Sequence, residues 1–223
     1  MIGIFDSGVG GLNSFSELRR LLPRESLIYL SDSKNAPYGT KSKEALKKIV
    51  TENVNLLTDM GACEVLIACC SASAVWSELD ESVRRVCSPI IHTAARAAAE
   101  ATGPRGSVAV IATDFTAGSG IFKSEIHKIN PDIEVHEIPA QILVGLVELG
   151  AKDGELLPRE GEILDGVCSR ISALGSDVLI LGCTHFSSLK GEISKRLPGV
   201  SIINTAVLGA RRLAREISEN QKE

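Results

Sequence analysis

The sequence predicts an α/β protein: two similar parallel-sheet α/β domains related by a pseudo-twofold axis, with the active site in the cleft between them. Short apolar runs alternate with longer amphipathic stretches along the 223 residues, which is typical of parallel strands joined by helical crossovers. The predicted strands are continuously apolar, as expected when both faces of a sheet are covered. A weak internal repeat supports duplication, because Cys69 and Cys183 each follow an apolar strand and precede hydroxyl residues, about half the chain apart.

The first half is assigned from helical apolar spacing and from breaking residues. Pro23 ends the first helix, Gly61 ends the second, and Gly103-Pro104 separates the halves. The predicted elements are strands at Ile2–Phe5, Leu27–Leu30, Val65–Ala68 and Ile90–Ile91, and helices at Leu12–Leu22, Ser42–Met60, Ala74–Val86 and Ala94–Ala101.

The second half repeats this scheme, with Asn130-Pro131 ending its first helix. The predicted elements are strands at Val108–Ala112, Ile133–His136, Val178–Leu181 and Val200–Ile203, and helices at Gly120–Ile129, Ile142–Leu149, Glu160–Leu174, Ser188–Leu197 and Thr205–Ile217. We assign residues 1–92 together with about 205–223 to an N-terminal domain, and residues 93–204 to a second domain.

Composition excludes several classes of function. A net charge of −4 gives no electrostatic reason to expect a nucleic-acid partner. No run approaches the roughly 18 apolar residues of a membrane span, and the first residues lack the basic and apolar regions of a secretory leader. We therefore expect a cytoplasmic protein in which most of the six cysteines are free thiols. Without a C-x-x-C pair, a zinc ribbon is disfavoured.

The segment after the first strand combines an acid, a hydroxyl and glycines: Asp6, Ser7, Gly10 and Gly11. It fits neither phosphate-binding pattern, because Asn13 stands where the dinucleotide fingerprint needs glycine and no Gly-Lys-Ser/Thr follows. Two interpretations remain. The glycines let the backbone approach a ligand, or Asp6 or Ser7 caps the next helix.

Two thiols are the strongest chemical signal. Cys69 and Cys183 are each predicted between a strand and a helix N-terminus, whose positive end lowers a thiol pKa. His185, two residues after Cys183, can polarise a thiol or a substrate. A lone cysteine is more often a buried apolar residue, but two in matched positions favour chemistry.

Two further segments are ambiguous from their residues alone. The loop from Asp32 to Thr40 contains Tyr38 and Gly39, whose backbone groups suit a carboxylate or an amine, but it also fits a surface turn. Glu148, near the end of an apolar helix, is either solvated or turned into the cleft.

Taken together, these segments resemble glutamate racemases. The resemblance runs from Ile2 to about Asn204 and identifies the chain as a member of the aspartate/glutamate racemase superfamily. The segments that carry it are Phe5-Asp6-Ser7-Gly8-Val9-Gly10-Gly11, Asp32 through Pro37-Tyr38-Gly39, Ala68-Cys69, and Leu181-Gly182-Cys183-Thr184-His185.

The resemblance implies interconversion of L- and D-glutamate without pyridoxal phosphate or metal, supplying D-glutamate for peptidoglycan. It implies that Cys69 and Cys183 are the acid/base residues on opposite faces of the α-carbon. Asp6 would orient or activate Cys69, and Glu148 and His185 would do the same for Cys183. The implied substrate-binding residues are Asp6, Ser7, Tyr38, Gly39, Cys70, Ser71, Thr184 and His185. Two bases suit the chemistry, because a single fixed base could return the proton only to the face it left.

The chain departs from the family pattern at Cys70, where an asparagine is usual, and in the segment Ile138-Pro139-Ala140-Gln141. A thiol is a weaker hydrogen-bonding group than an amide. Alternatives are therefore a racemase for aspartate or a broader amino-acid set, and a non-catalytic amino-acid-binding paralogue. A zinc site at Cys69, Cys70, Cys183 and His185 is disfavoured. The expected partner is a small-molecule substrate, with no nucleic acid and no membrane, and a homodimer is the oligomer considered.

Overall fold

The computed structural model describes residues 1–220. The first half contains one sheet and its covering helices. Its elements are β1 (Ile2–Asp6), α1 (Leu12–Leu21), β2 (Leu27–Ser31), α2 (Lys43–Asp59), β3 (Glu64–Ile67), α3 (Cys70–Ser73), α4 (Glu81–Arg84), β4 (Cys87–Pro89) and α5 (Ile91–Ala101), with short 3₁₀ helices at Tyr38–Thr40 and Trp76–Glu78.

The second half contains the other sheet. Its elements are β5 (Ser107–Ala112), α6 (Asp114–Ser119), α7 (Ile121–His127), β6 (Glu134–Pro139), α8 (Gln141–Glu148), α9 (Pro158–Ala173), β7 (Val178–Gly182), α10 (Lys190–Arg196), β8 (Ser201–Asn204) and α11 (Thr205–Asn220), with a 3₁₀ helix at Thr184–Leu189.

The two sheets share one topology. The strand orders are β2-β1-β3-β4 and β6-β5-β7-β8, and every strand pair is parallel. The same order in both halves confirms the predicted pair of similar parallel α/β units. Because parallel neighbours point the same way, the carboxyl ends of β1 and β3 lie at one edge of the first sheet, and those of β5 and β7 at one edge of the second.

Both faces of each sheet are buried, which explains the continuously apolar strands. Ile4 on β1 and Val110 on β5 belong to one core shared by the two sheets. Phe5, on the opposite face of β1, packs in a separate core with residues of α2. Ile111, next to Val110, packs in a third core with residues of α8 and α9.

The predicted helix at Ala74–Val86 is wrong. Val75, Leu79 and Val83 are buried at the four-residue spacing of a helix, which is why the pattern indicated one. Leu79 is extended, however, with ψ of 159°. Short turns on either side of it therefore bury the same apolar residues without a continuous helix.

Two other boundaries differ from the prediction. The strand predicted at Ile90–Ile91 lies earlier, at β4, and Ile91 begins α5. Both isoleucines are fully buried, so apolar character alone did not distinguish a strand from a helix start. The prediction of one helix at Gly120–Ile129 missed α6. Gly120 separates α6 from α7 with a left-handed φ of 66°, which glycine adopts without strain.

The domain boundaries at residues 92 and 205 stay a prediction. In their support, α11 returns to the first half, where the Ser14 hydroxyl donates to the Ala206 carbonyl at 2.9 Å and Arg211 pairs with Glu17 at 2.6 Å. Residues 221–223 of that assignment lie outside the described residues. Between residues 1 and 220, no helix is both long enough and apolar enough to cross a membrane.

Candidate active site

Side chains from the strand ends of both sheets meet in one cleft. Cys69 follows β3, and Cys183 follows β7. The residues that line the cleft come from both halves: Ser7, Pro37, Tyr38, Gly39, Cys69, Cys70, Ser71, Thr113, Gln141, Val144, Glu148, Cys183, Thr184 and His185. The structure thus brings together every residue that the sequence placed at the site except Asp6, which lies directly behind the wall.

The cleft is closed. Its cavity is about 20 Å³, close to the space for one water molecule and far below the roughly 300 Å³ of a typical ligand pocket. An amino acid therefore enters only when the walls move apart. A larger cavity of about 710 Å³ lies among residues of α5, α7 and α11. It contains none of the strand-end residues and is not the candidate active site.

Cys69 is held in extended backbone at the N-terminus of α3 and is 6% exposed. Burial raises the pKa of its thiol well above the ordinary value, and the charge of Asp6 acts in the same direction. The backbone N–H groups of Ser71 and Ala72 oppose this shift.

Cys183 occupies the equivalent place before the 3₁₀ helix at Thr184–Leu189 and is 7% exposed. Burial raises the pKa of its thiol to about 12, against the opposing effect of the backbone N–H groups of His185 and Phe186. The predicted lowering of both thiol pKa values is therefore wrong for the closed cleft. The helix-end N–H groups act as expected, but desolvation is the larger effect.

The pH at which Cys69 and Cys183 form thiolates can be tested. Because burial raises both thiol pKa values, a higher pH is needed to deprotonate Cys69 and Cys183 in the substrate-free protein. We expect alkylation of both by iodoacetamide to keep rising beyond about pH 10, well past the usual thiol pKa of roughly 8.5. Peptide mass spectrometry measures each site, with the exposed Cys63 as the reference for reagent reactivity. A plateau near neutral pH at Cys69 or Cys183 would contradict this account.

Asp6 is fully buried and organises the floor of the cleft. Its carboxylate accepts hydrogen bonds from the Ser7 N–H at 2.8 Å, from the Gly11 N–H, and from the Thr184 hydroxyl at 3.1 Å. Burial raises the Asp6 pKa, while the nearby His185 and these hydrogen bonds act to lower it. None of the hydrogen bonds of Asp6 within residues 1–220 joins it to Cys69, so it influences that thiol through its charge.

The glycines after Asp6 allow close approach of the two halves. A Cβ at Gly10 would lie 2.5 Å from Thr184 Oγ1 and 2.9 Å from the His185 backbone nitrogen. The residue at the N-cap of α1 is Gly11, with no side-chain cap. Capping of α1 by Asp6 or Ser7 is therefore wrong. The glycines permit close approach to Thr184 and His185, and approach of this backbone to a ligand stays a prediction.

Glu148, His185 and Cys183 form a chain of contacts. Glu148 Oε1 lies 3.5 Å from His185 Nε2, and His185 Nδ1 lies 3.7 Å from Cys183 Sγ. His185 is 4% exposed, whereas Glu148 is half-exposed at the rim of the cleft. Within residues 1–220 His185 Nε2 makes no hydrogen bond, so Glu148 acts on Cys183 through its charge, which raises the pKa of the thiol.

The loop that carries Tyr38 and Gly39 is not an ordinary surface turn. The Tyr38 hydroxyl donates to Asp32 Oδ2 at 2.5 Å and accepts from Asn53 Nδ2 at 2.8 Å. Tyr38, Gly39 and Asp32 are all buried. Burial raises the Tyr38 pKa, so it stays protonated and keeps donating to Asp32. This network fixes Gly39 at the cleft.

Hydroxyls link the halves on another wall. The Ser71 hydroxyl lies 2.9 Å from that of Thr113 and 3.1 Å from that of Thr116. Cys70, beside Ser71, is 2% exposed. Within residues 1–220, no group of three or more His, Cys, Asp or Glu side chains is arranged to hold a metal ion.

The sequence prediction missed four residues that line the cleft: Pro37, Thr113, Gln141 and Val144. A signal existed for three of them. Gln141, Val144 and Glu148 are spaced three and four residues apart, so they share one face of α8. Thr113 directly follows β5, so the strand-end argument that located Cys69 and Cys183 applies to it as well.

The sequence of the chain is similar to those of known racemases. Residues 13–213 match the Asp/Glu/Hydantoin racemase family. Glutamate racemase from Ectopseudomonas mendocina is 38% identical over 227 residues, which cover 99% of this chain and 83% of the relative.

The fold is also similar to those of solved glutamate racemase structures. A glutamate racemase isoform from Bacillus anthracis has a TM-score of 0.89 at 30% identity, covering 99% of this chain and 82% of that one. Glutamate racemase from Francisella tularensis, in complex with D-glutamate, has a TM-score of 0.88 at 31% identity, covering 99% and 81%.

The fold and the cleft define an isomerase of the racemase class. The chain belongs to the Asp/Glu/Hydantoin racemase family and groups within it with the glutamate racemases.

Proposed function

We propose that this chain interconverts L- and D-glutamate by two-thiol acid/base chemistry, without a cofactor. The observation that carries the proposal is the placement of Cys69 and Cys183 at matching strand ends of two like sheets, lining one cleft. The bound D-glutamate of the Francisella tularensis relative supports the choice of substrate.

One turnover moves two protons and no other atoms. The thiolate of one cysteine takes the α-proton, so the Cα–H bond breaks and an S–H bond forms. The thiol of the other cysteine then gives its proton to the opposite face of the α-carbon. Roles exchange in the reverse direction, which suits a pair of similar thiols.

Raised thiol pKa values suit this scheme in one respect and oppose it in another. They keep the acid thiol protonated at neutral pH, as the second step needs. The base must be a thiolate, and opposite charge nearby favours that form. In glutamate the α-ammonium is such a charge and the two carboxylates oppose it, so formation of the base depends on where the cleft holds each of these groups.

Each thiol has its own supporting groups. His185 contacts Cys183 and continues to Glu148, so this pair serves Cys183. Asp6 serves the site by holding Ser7 and Thr184 in place, whereas its charge raises the Cys69 pKa and so favours the protonated thiol. Ser7, Tyr38, Gly39, Cys70, Ser71, Thr184 and His185 line the same cleft and provide the substrate contacts.

A circular-dichroism assay with L-glutamate, D-glutamate and L-aspartate tests the proposal. We expect racemisation of glutamate by purified protein without added pyridoxal phosphate, unchanged by a chelator. A preference for aspartate would favour the alternative racemase. Binding of glutamate without racemisation would favour the non-catalytic paralogue. D-glutamate supply for peptidoglycan, a cytoplasmic location and a homodimer belong to the same proposal.

Cys70 offers a direct test of substrate recognition. Replacing its thiol with the amide of asparagine adds a good donor and acceptor to the wall of the cleft. Since a hydrogen bond to a charged ligand contributes about 1.5–3 kcal/mol, we expect Cys70→Asn to lower the KM for glutamate by roughly tenfold or more. Steady-state kinetics measure the effect. The control is Cys87→Asn, which makes the same change at a buried residue outside the cleft. An unchanged or higher KM would show that other groups already fill this role.

A further inference from the structure

Gln141 is a polar group in the cleft that the mechanism leaves unused. It begins α8 and lines the cleft with Val144 and Glu148 on the same helix face. Its Oε1 atom is buried and has no hydrogen-bond partner within residues 1–220. Leaving such an atom unpaired is destabilising, so an unpartnered amide at this place indicates a ligand group that completes it.

The surrounding backbone makes room for this amide. A Cβ at Gly39 would lie 2.4 Å from Gln141 Oε1 and 2.6 Å from Thr113 Cβ. A side chain at residue 39 would therefore displace Gln141. Gly39, Thr113 and Gln141 form one corner of the cleft, and none of the three belongs to a segment that carries a thiol.

The chemistry of the lining narrows what this corner binds. Among the described residues that line the cleft there is no lysine or arginine, so a substrate carboxylate must be held by neutral donors. Gln141 is the one side-chain amide in that lining. In its present orientation Oε1 would accept from a donor, but the oxygen and nitrogen ends of an amide have nearly the same shape. Turning the amide therefore puts its NH₂ group in that place, where it donates to a carboxylate. The N-terminus of α8 has no side-chain cap, and its positive end also favours an anion.

The position of the corner selects the carboxylate. In the proposed function the α-carbon sits between the thiol-bearing segments, with its ammonium and carboxylate near the residues that follow them. The thiol-free corner then receives the far end of the substrate. We infer that Gln141 binds the side-chain carboxylate of the amino-acid substrate and sets the preference for an acidic side chain. This inference rests on the proposed function.

Two variants test this role. Gln141→Glu keeps the shape but places a negative charge in the corner, which repels a substrate carboxylate and accepts from a substrate amide. Gln141→Leu removes hydrogen bonding at nearly the same size. Ile142→Ala, at the next residue of α8 and 56% exposed, is the matched control. The measurements are calorimetric binding of glutamate and glutamine, their α-proton exchange in deuterated water, and thermal unfolding.

We expect Gln141→Glu to weaken glutamate binding by about a hundredfold and to change glutamine binding by less than about tenfold. Gln141→Leu should weaken glutamate by roughly ten- to a hundredfold, and Ile142→Ala should change neither ligand. If Gln141→Glu weakened the binding of glutamate and glutamine equally, with or without a change in unfolding temperature, the inference would be overturned. Unchanged glutamate binding in this variant would overturn it as well.

Failure of the proposed function gives a different result. If the wild-type chain binds glutamate but does not racemise it, the two-thiol reaction is refuted, while the binding ratios still decide the role of Gln141. If the wild-type chain binds neither glutamate nor glutamine, both the proposed function and the inference fail.

Discussion

Replacing either cleft thiol with serine should reduce glutamate racemisation by about a thousandfold or more, within the range seen when a general acid or base is removed. Each direction of the reaction uses Cys69 and Cys183 once, one as base and the other as acid. A serine hydroxyl is close in size but does not ionise in the working pH range. Cys69→Ser and Cys183→Ser should therefore be similarly impaired in both directions.

Matched controls come from the same two cores. Cys87 and Cys168 are each 3% exposed and lie outside the lining of the cleft. Cys87→Ser is the control for Cys69→Ser, and Cys168→Ser is the control for Cys183→Ser. Steady-state rates from circular dichroism, with thermal unfolding of every variant, make the comparison. Controls as inactive as the cleft variants would indicate that loss of a buried thiol, rather than loss of chemistry, explains the result.

Asp6→Asn should reduce both stability and activity. Asp6 uses both carboxylate oxygens to accept from backbone and hydroxyl donors. Asparagine has one acceptor oxygen, and its NH₂ group would face another donor. We expect the free energy of unfolding to fall by about 1–3 kcal/mol. We also expect kcat to fall by roughly a hundredfold, toward the lower end of acid/base effects, because the segment after β1 and Thr184 lose their common anchor.

The pH at which the two thiols become alkylated distinguishes an electrostatic effect of Asp6 on the cleft from a merely structural role. The charge of Asp6 raises the pKa of both Cys69 and Cys183, so its removal should shift alkylation of both thiols to lower pH. Asp153→Asn is the control, because Asp153 accepts two backbone N–H groups at 2.8 Å outside the cleft. A shift to higher pH, or the same kinetic loss in Asp153→Asn, would contradict this account of Asp6.

The placement of the two thiols was predictable from the sequence for a physical reason. Apolar runs locate buried strands, and parallel strands bring their carboxyl ends to one edge of a sheet. Cys69 and Cys183 therefore had to lie at sheet edges, and the repeat implied that those edges face each other. The turn at Leu79 was not predictable, because short turns bury Val75 and Val83 as effectively as a helix does.

The electrostatics of the cleft were predictable only in part. The sequence places helix N-termini beside the thiols, and their N–H groups do act to lower the pKa of each. The larger effect is desolvation, which requires the two halves to close over the thiols. That closure depends on segments distant in sequence, including Gln141 and Thr113. The residues next to Cys69 and Cys183 in the sequence do not indicate this closure.

The most direct measurement of the two-thiol mechanism is proton NMR of L- and D-glutamate with Cys69→Ser and Cys183→Ser in deuterated water. Each variant keeps one thiol able to remove an α-proton from the face it occupies and to return deuterium there. The account predicts slow loss of the α-proton signal, without racemisation, for one enantiomer in Cys69→Ser and for the opposite enantiomer in Cys183→Ser. Exchange of the same enantiomer by both variants, or racemisation near the wild-type rate by either, would contradict it.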